Sequence, residues 1–163
     1  MELVEGIATV DDVDAFVATL GDIADEHDVT VQAFDARYVV SRRHLERAVE
    51  LADRERARGD AIARDRAVEV LLYAAGRRQI ARALELGVDE GETPVVVVVD
   101  GDGDEQAASA AVADLLEPAE TLGAYDEARV REFFDVGDAE LAATAATLEA
   151  LVLERVALLV VER

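Results

Sequence analysis

Six consecutive residues, Pro94-Val95-Val96-Val97-Val98-Val99, constrain the fold more than any other segment. Five are valine, whose branched side chain suits an extended backbone. A half-buried strand alternates apolar and polar residues, whereas an unbroken apolar run has to be covered on both faces. The chain therefore needs a sheet with an apolar layer on each side. Its 163 residues suit one domain, 1–163, and 52% hydrophobic residues supply a core despite a net charge of −21. Much of that apolar fraction is small, since 31 residues are Ala.

Residues 2–10 and Val29 to Phe34 alternate and read as strands, and Leu158 to Glu162 reads as a closing strand. Helices fill the rest. Asp11 opens one to about Glu26, with Val13, Phe16, Val17, Leu20 and Ile23 on its apolar face. Ser41 caps a second, which runs to about Arg58 and stops before Gly59. A more apolar helix from about Ala63 to Ala75 ends at Gly76. A short one follows from about Arg77 to Leu86, with Ile80, Ala83 and Leu84 turned inward and Gly87 ending it. Asp100 to Asp104 is an acidic turn before a helix from about Glu105 to Glu117. Asp126 opens a short helix, and Asp138 caps a last helical stretch to about Val156. The expected fold class is α+β (mixed α/β): one small central sheet of about four strands packed with helices.

Several functions are excluded by what is missing. There is no Cys, so disulfides, thiolate zinc sites and thiol catalysis do not arise. No apolar run approaches the ~18 residues of a membrane span. The opening residues lack the order of a secretory signal, so a cytoplasmic location is expected. An EF-hand loop begun at Asp100 would need Gly at its sixth position and Glu at its twelfth, but Glu105 and Ala111 stand there. His27 and His44 share no motif, and no metal site is expected. No glycine-rich phosphate loop, serine elbow or nucleophile–base pair is present. The expectation is a protein that is not an enzyme and needs no cofactor.

Charge carries the positive signal. All 16 cations are Arg, and there is no Lys, Asn or Trp. Acidity with Arg in place of Lys resembles the composition of proteins from salt-in halophiles. Between Arg37 and Arg82 stand twelve Arg and seven acids, a net charge of +5, while the rest of the chain carries −26. Arg43, Arg47, Arg54 and Arg58 fall on one helical stripe. Local ion pairs account for some of this block; a positive face on a negative molecule otherwise favours an anionic partner, either RNA or an acidic protein surface. Gly76-Arg77-Arg78-Gln79-Ile80 is the most suggestive string. Guanidinium groups fork onto phosphate or stack on a base, and Gln bonds a base edge, which suits a single-stranded RNA end. Its plain alternative is a capped helix with solvated Arg. His44, one turn after Ser41, either presents its imidazole to such a ligand or packs in the core.

The segment Asp35-Ala36-Arg37-Tyr38-Val39-Val40-Ser41-Arg42-Arg43-His44, then Leu71-Leu72-Tyr73-Ala74-Ala75 and Gly76-Arg77-Arg78-Gln79-Ile80, resembles the CGI/PRPK-binding-protein family. Members are the kinase-binding subunit of KEOPS, the complex that makes threonylcarbamoyladenosine in tRNA. The resemblance is strong over residues 30–90 and looser toward both ends. It implies a non-catalytic subunit that binds the Bud-type kinase/ATPase and, in archaeal members, holds the tRNA acceptor end with its 3′ CCA. The transferase subunit is then an indirect partner. On that basis the expected RNA-binding residues are Arg42, Arg43, His44, Arg77, Arg78, Gln79 and Ile80. Family members bind the kinase largely through C-terminal helices, so Leu141, Leu148, Leu151, Val152, Arg155 and Val156 are expected at that contact; each could equally be core. One alternative is a pure protein-interaction regulator of the kinase without RNA contact. A third reading is a small-ligand-binding α/β domain.

Overall fold

The computed structural model describes residues 1–144 and 147–161. Strand β1 (Glu2–Val10) leads to helix α1 (Val13–His27) and strand β2 (Thr30–Asp35). A 3-10 turn (Ala36–Tyr38) joins β2 to α2 (Arg42–Ala57), followed by α3 (Arg66–Ala75) and the single turn α4 (Ile80–Ala83). Strand β3 (Gly91–Asp100), α5 (Glu105–Ala113), the two-residue strand β4 (Glu117–Pro118) and helices α6 (Glu127–Phe133), α7 (Asp138–Thr144) and α8 (Leu148–Leu158) complete it.

The four strands form one sheet in the order β2-β3-β1-β4, antiparallel throughout. β3 lies between β2 and β1, paired from Glu2↔Val99 to Val10↔Gly91 and from Thr30↔Asp100 to Asp35↔Val95. Its valines divide by parity. Val95, Val97 and Val99 pack with Leu20 and Ile23 of α1 and Ala108 and Val112 of α5. Val96 and Val98 pack with Phe34 and with the apolar faces of α2, α3 and α8. The unbroken run thus reflects a three-layer sandwich, and it occurs in an antiparallel sheet because helices cover both faces. β4 approaches β1 only because Gly6 has no side chain: a Cβ there would lie 2.7 Å from the Glu117 carbonyl.

Four expectations are corrected. Leu158 to Glu162 is no strand: Leu158 ends α8, 159–161 form turns, and Glu162 lies outside the described residues. Val152, Val156 and Leu159 recur at helical spacing on the core side. A short apolar run does not by itself separate helix from strand. The last helical stretch is two helices, α7 and α8, the second capped by Thr147 Oγ1 on the Ala150 N–H. The helix expected from Arg77 begins only at Ile80. It runs one turn into a 3-10 turn (Leu84–Leu86), so Ala83 and Leu86 are buried while Ile80 and Leu84 are 50% and 57% exposed. On α1, Leu20 and Ile23 make the core contact, and Val17 is 54% exposed.

Candidate functional site

The two motifs that carry the resemblance meet in space. Asp35 Oδ1 accepts from the Arg37 backbone N–H and, with Oδ2, grips the Arg37 guanidinium, closing the turn after β2. That hydrogen bond to Asp35 holds the Arg37 pKa above its usual value. Ser41 Oγ accepts from the His44 N–H and starts α2. The His44 ring is fully buried. Its Nε2 donates to the Ala74 carbonyl at 2.8 Å, and its Nδ1 accepts from the Val40 N–H at 3.4 Å. This pairing demands the neutral imidazole with its proton on Nε2. Burial pulls the pKa down to about 4. His44 is therefore a core brace between α2 and the end of α3, and does not reach a ligand.

Beyond Ala74, Gly76 ends α3 in the left-handed conformation, φ 62°, with its N–H on the Leu72 and Tyr73 carbonyls. A Cβ at Gly76 would sit 3.0 Å from the Arg155 carbonyl of α8. Arg77 turns back: its guanidinium donates to the Phe133 carbonyl and lies 5.1 Å from the Phe133 ring centroid, with Arg82 at 5.7 Å from the same ring. From α8, Arg155 donates to the Phe134 and Asp135 carbonyls and pairs with Glu140. That hydrogen bond to Glu140 raises the Arg155 pKa, and the same bond lowers that of Glu140. Arg77 and Arg155 thus clasp one loop, Phe133-Phe134-Asp135, from two sides. Between them opens a cleft of about 420 Å³ lined by Gly76, Arg77, Arg78, Gln79, Asp135 and Arg155, among others. Arg78 and Gln79 are exposed at its mouth. Arg78 has no ion pair among the described residues, and Gln79 makes no capping bond with its side chain. The cleft offers cations, an amide and an apolar edge at Leu158, 41% exposed.

The rest of the arginine block is largely spent. Eight of the twelve meet carboxylates: Arg37, Arg42, Arg43, Arg47, Arg54, Arg58, Arg66 and Arg82. Arg43 and Arg47 share Glu50, Arg54 and Arg58 share Glu55, and Arg66 bridges Asp53 to Asp100. Arg56 donates to the Ala63 and Arg64 carbonyls. Arg42 reaches Glu46 and the Met1 carbonyl, and neither it nor Arg43 lines the cleft. Of the residues expected at the kinase contact, Leu148, Leu151, Val152 and Val156 are buried within the chain, and Leu141 packs partly against the same core. Leu148, Leu151, Val152 and Val156 have too little free surface to dock a partner. Arg155 instead joins the cleft, so residues expected for two partners share one site.

Residues 9–159 match the family described as kinase binding protein CGI-121. The chain belongs to that family. Among curated proteins none matches the chain. The two segments on which the resemblance rests, Asp35–His44 and Leu71–Ile80, are explained largely by structure: caps, a buried histidine and a left-handed glycine that together present Arg78 and Gln79. The Phe133–Asp135 loop was not legible, because its contacts to Arg77 and Arg155 cross 56 and 20 to 21 residues of sequence. Among the described residues no helix is long and apolar enough to cross a membrane, and no cluster of His, Cys, Asp and Glu is arranged to hold a metal ion.

Proposed function

We propose that this chain is a non-catalytic subunit of the KEOPS complex, which binds the Bud-type kinase and holds the 3′ CCA end of tRNA. Membership of the CGI-121 family supports the kinase half. The observation that carries the RNA half is the cleft beside Gly76, where Arg78 has no carboxylate of its own in a molecule that neutralises most of its other cations. Its dimensions suit a nucleotide or two of single strand, with Arg78 stacking or forking onto phosphate and Gln79 bonding a base edge. Acid elsewhere on the surface repels RNA and restricts it to this point. Cytoplasmic residence in a salt-rich archaeal cell follows as part of the same reading.

The kinase contact is assigned to the end of α8 and its following turn. Val161 stands 76% exposed there, beyond the Leu158 edge of the cleft, while the inward residues of α8 are core. In the alternative reading, a regulator of the kinase without RNA contact, the pairing of eight arginines within the chain is the favouring observation. A tRNA shift assay separates the two. Arg78→Ala with Gln79→Ala is expected to weaken tRNA binding about tenfold while leaving capture of the kinase intact; unchanged tRNA affinity leaves the protein-only reading standing. Val161→Glu is expected to reduce kinase capture with tRNA affinity unchanged, because Val161 does not line the cleft.

A further inference from the structure

At one end of the sheet, β2 is a terminal strand whose outer edge meets no other strand among the described residues. Strand alternation fixes which groups face outward. Pro118 has no N–H, so Gly6↔Pro118 cannot be a bonded pair and Ile7↔Glu117 is. Carried through β1 and β3, that alternation directs the N–H and C=O of Val31 and Ala33 away from β3. Gln32 Nε2 donates to the Ala33 carbonyl at 2.9 Å, as an outward carbonyl allows. Neither the Val31 nor the Ala33 N–H donates to a loop or side-chain group among the described residues, although these residues are only 6% and 2% exposed. Recessed backbone donors without a partner are rare.

They lie on the floor of an apolar groove of about 160 Å³. One wall is α1, with Val17 and Gly21; the other is Val68 and Leu71 of α3, with Leu84 beyond. Val17 and Leu84 are more than half exposed. Gly21 interrupts α1 at a cost of about 1 kcal/mol, yet a Cβ there would touch nothing within 4 Å, so it leaves the groove open. Asp65 is the charged residue that lines the groove. The α1 and β2 side, residues 11–35, holds eight acids and no Lys or Arg, and on the α3 side Arg66 is paired with Asp53 and Asp100 while Arg64 is exposed.

We propose that this edge is a strand-addition site for a partner protein, whose short apolar segment flanked by Lys or Arg pairs with β2 as a fifth strand. Backbone bonds to Val31 and Ala33 give the pairing, the two walls take its alternate side chains, and the acidic surroundings select basic flanks. Acidity rejects RNA here and disfavours a second copy of this chain. The site is distinct from the Arg78–Gln79 cleft and does not depend on the reading of that cleft.

The probe is acetyl-Arg-Arg-Val-Val-Val-Arg-Arg-amide, added to the full chain at the lowest salt that keeps it folded, with amide hydrogen exchange read residue by residue. The expected result is at least tenfold slower exchange at Val31 and Ala33, with the β3 amides unchanged. A peptide with Glu in place of Arg is expected to bind at least tenfold more weakly. Gly21→Leu, which fills the groove, and Val17→Arg, which repels the probe from an exposed position, are each expected to abolish the protection. If Gly21→Leu unfolds the chain, Val17→Arg decides alone. No protection at Val31 and Ala33, equal protection by the Glu peptide, protection by tRNA, or protection through self-association in sedimentation would each overturn the proposal.

Discussion

His44 shows how a single side chain ties the family motifs together. Its neutral ring bonds Ala74 and Val40 at once, and a proton on Nδ1 would face the Val40 N–H. The folded pKa is about 4 against an ordinary 6.5. Between those values the unfolded chain binds a proton that the folded chain does not. The stability from this group is therefore complete above about pH 6.5 and is lost as pH falls toward 4, ~3 kcal/mol in all. Chemical denaturation at pH 7 and pH 4.5 checks this, since His44→Leu is expected to lose that part of the pH dependence. At pH 7 the same variant leaves the Ala74 carbonyl and Val40 N–H unpaired and costs about 2–4 kcal/mol. The sequence places His44 one turn inside α2 but not against Ala74, because a contact across 30 residues leaves no trace in local periodicity.

At the scale of elements, α3 and α8 are held together where Gly76 passes the Arg155 carbonyl. Gly76→Ala has to enter a positive φ and also displace that carbonyl, so it is expected to cost about 2 kcal/mol or more in thermal unfolding. Gly59 also has positive φ, 80°, but its Cβ would meet nothing, so Gly59→Ala is expected to cost about 1 kcal/mol. Equal losses for the two variants would contradict the close α3–α8 approach. Long elements with strong periodicity were legible: β1, α1, α2 and the double-faced β3 lie close to where the residues predict them. Short ones were not. α4 is one turn, too short for a helical face, so Ile80 and Leu84 face solvent against expectation. β4 exists only because Gly6 admits it, and two residues show no period.

For the whole molecule, a net charge of −21 on 163 residues makes self-repulsion the dominant electrostatic effect. Raising salt from about 0.1 M to 1 M shortens the Debye length from ~10 Å to ~3 Å. The midpoint of thermal unfolding is therefore expected to rise with potassium chloride, and a fall would contradict the halophilic reading. The positive block was legible in the sequence as a count; its neutralisation was not, because which carboxylate meets which arginine depends on packing. What survives is Arg78, with Gln79 and the cleft behind them; Arg64, also exposed and without an ion pair among the described residues, does not line that cleft. A double cycle of tRNA affinities tests that claim most directly, pairing the intact chain or the Arg78→Ala, Gln79→Ala variant with tRNA that has or lacks its terminal CCA. The account predicts that either change alone weakens binding about tenfold and that both together weaken it no further. Equal affinity in all four combinations, or losses that simply multiply, would contradict it.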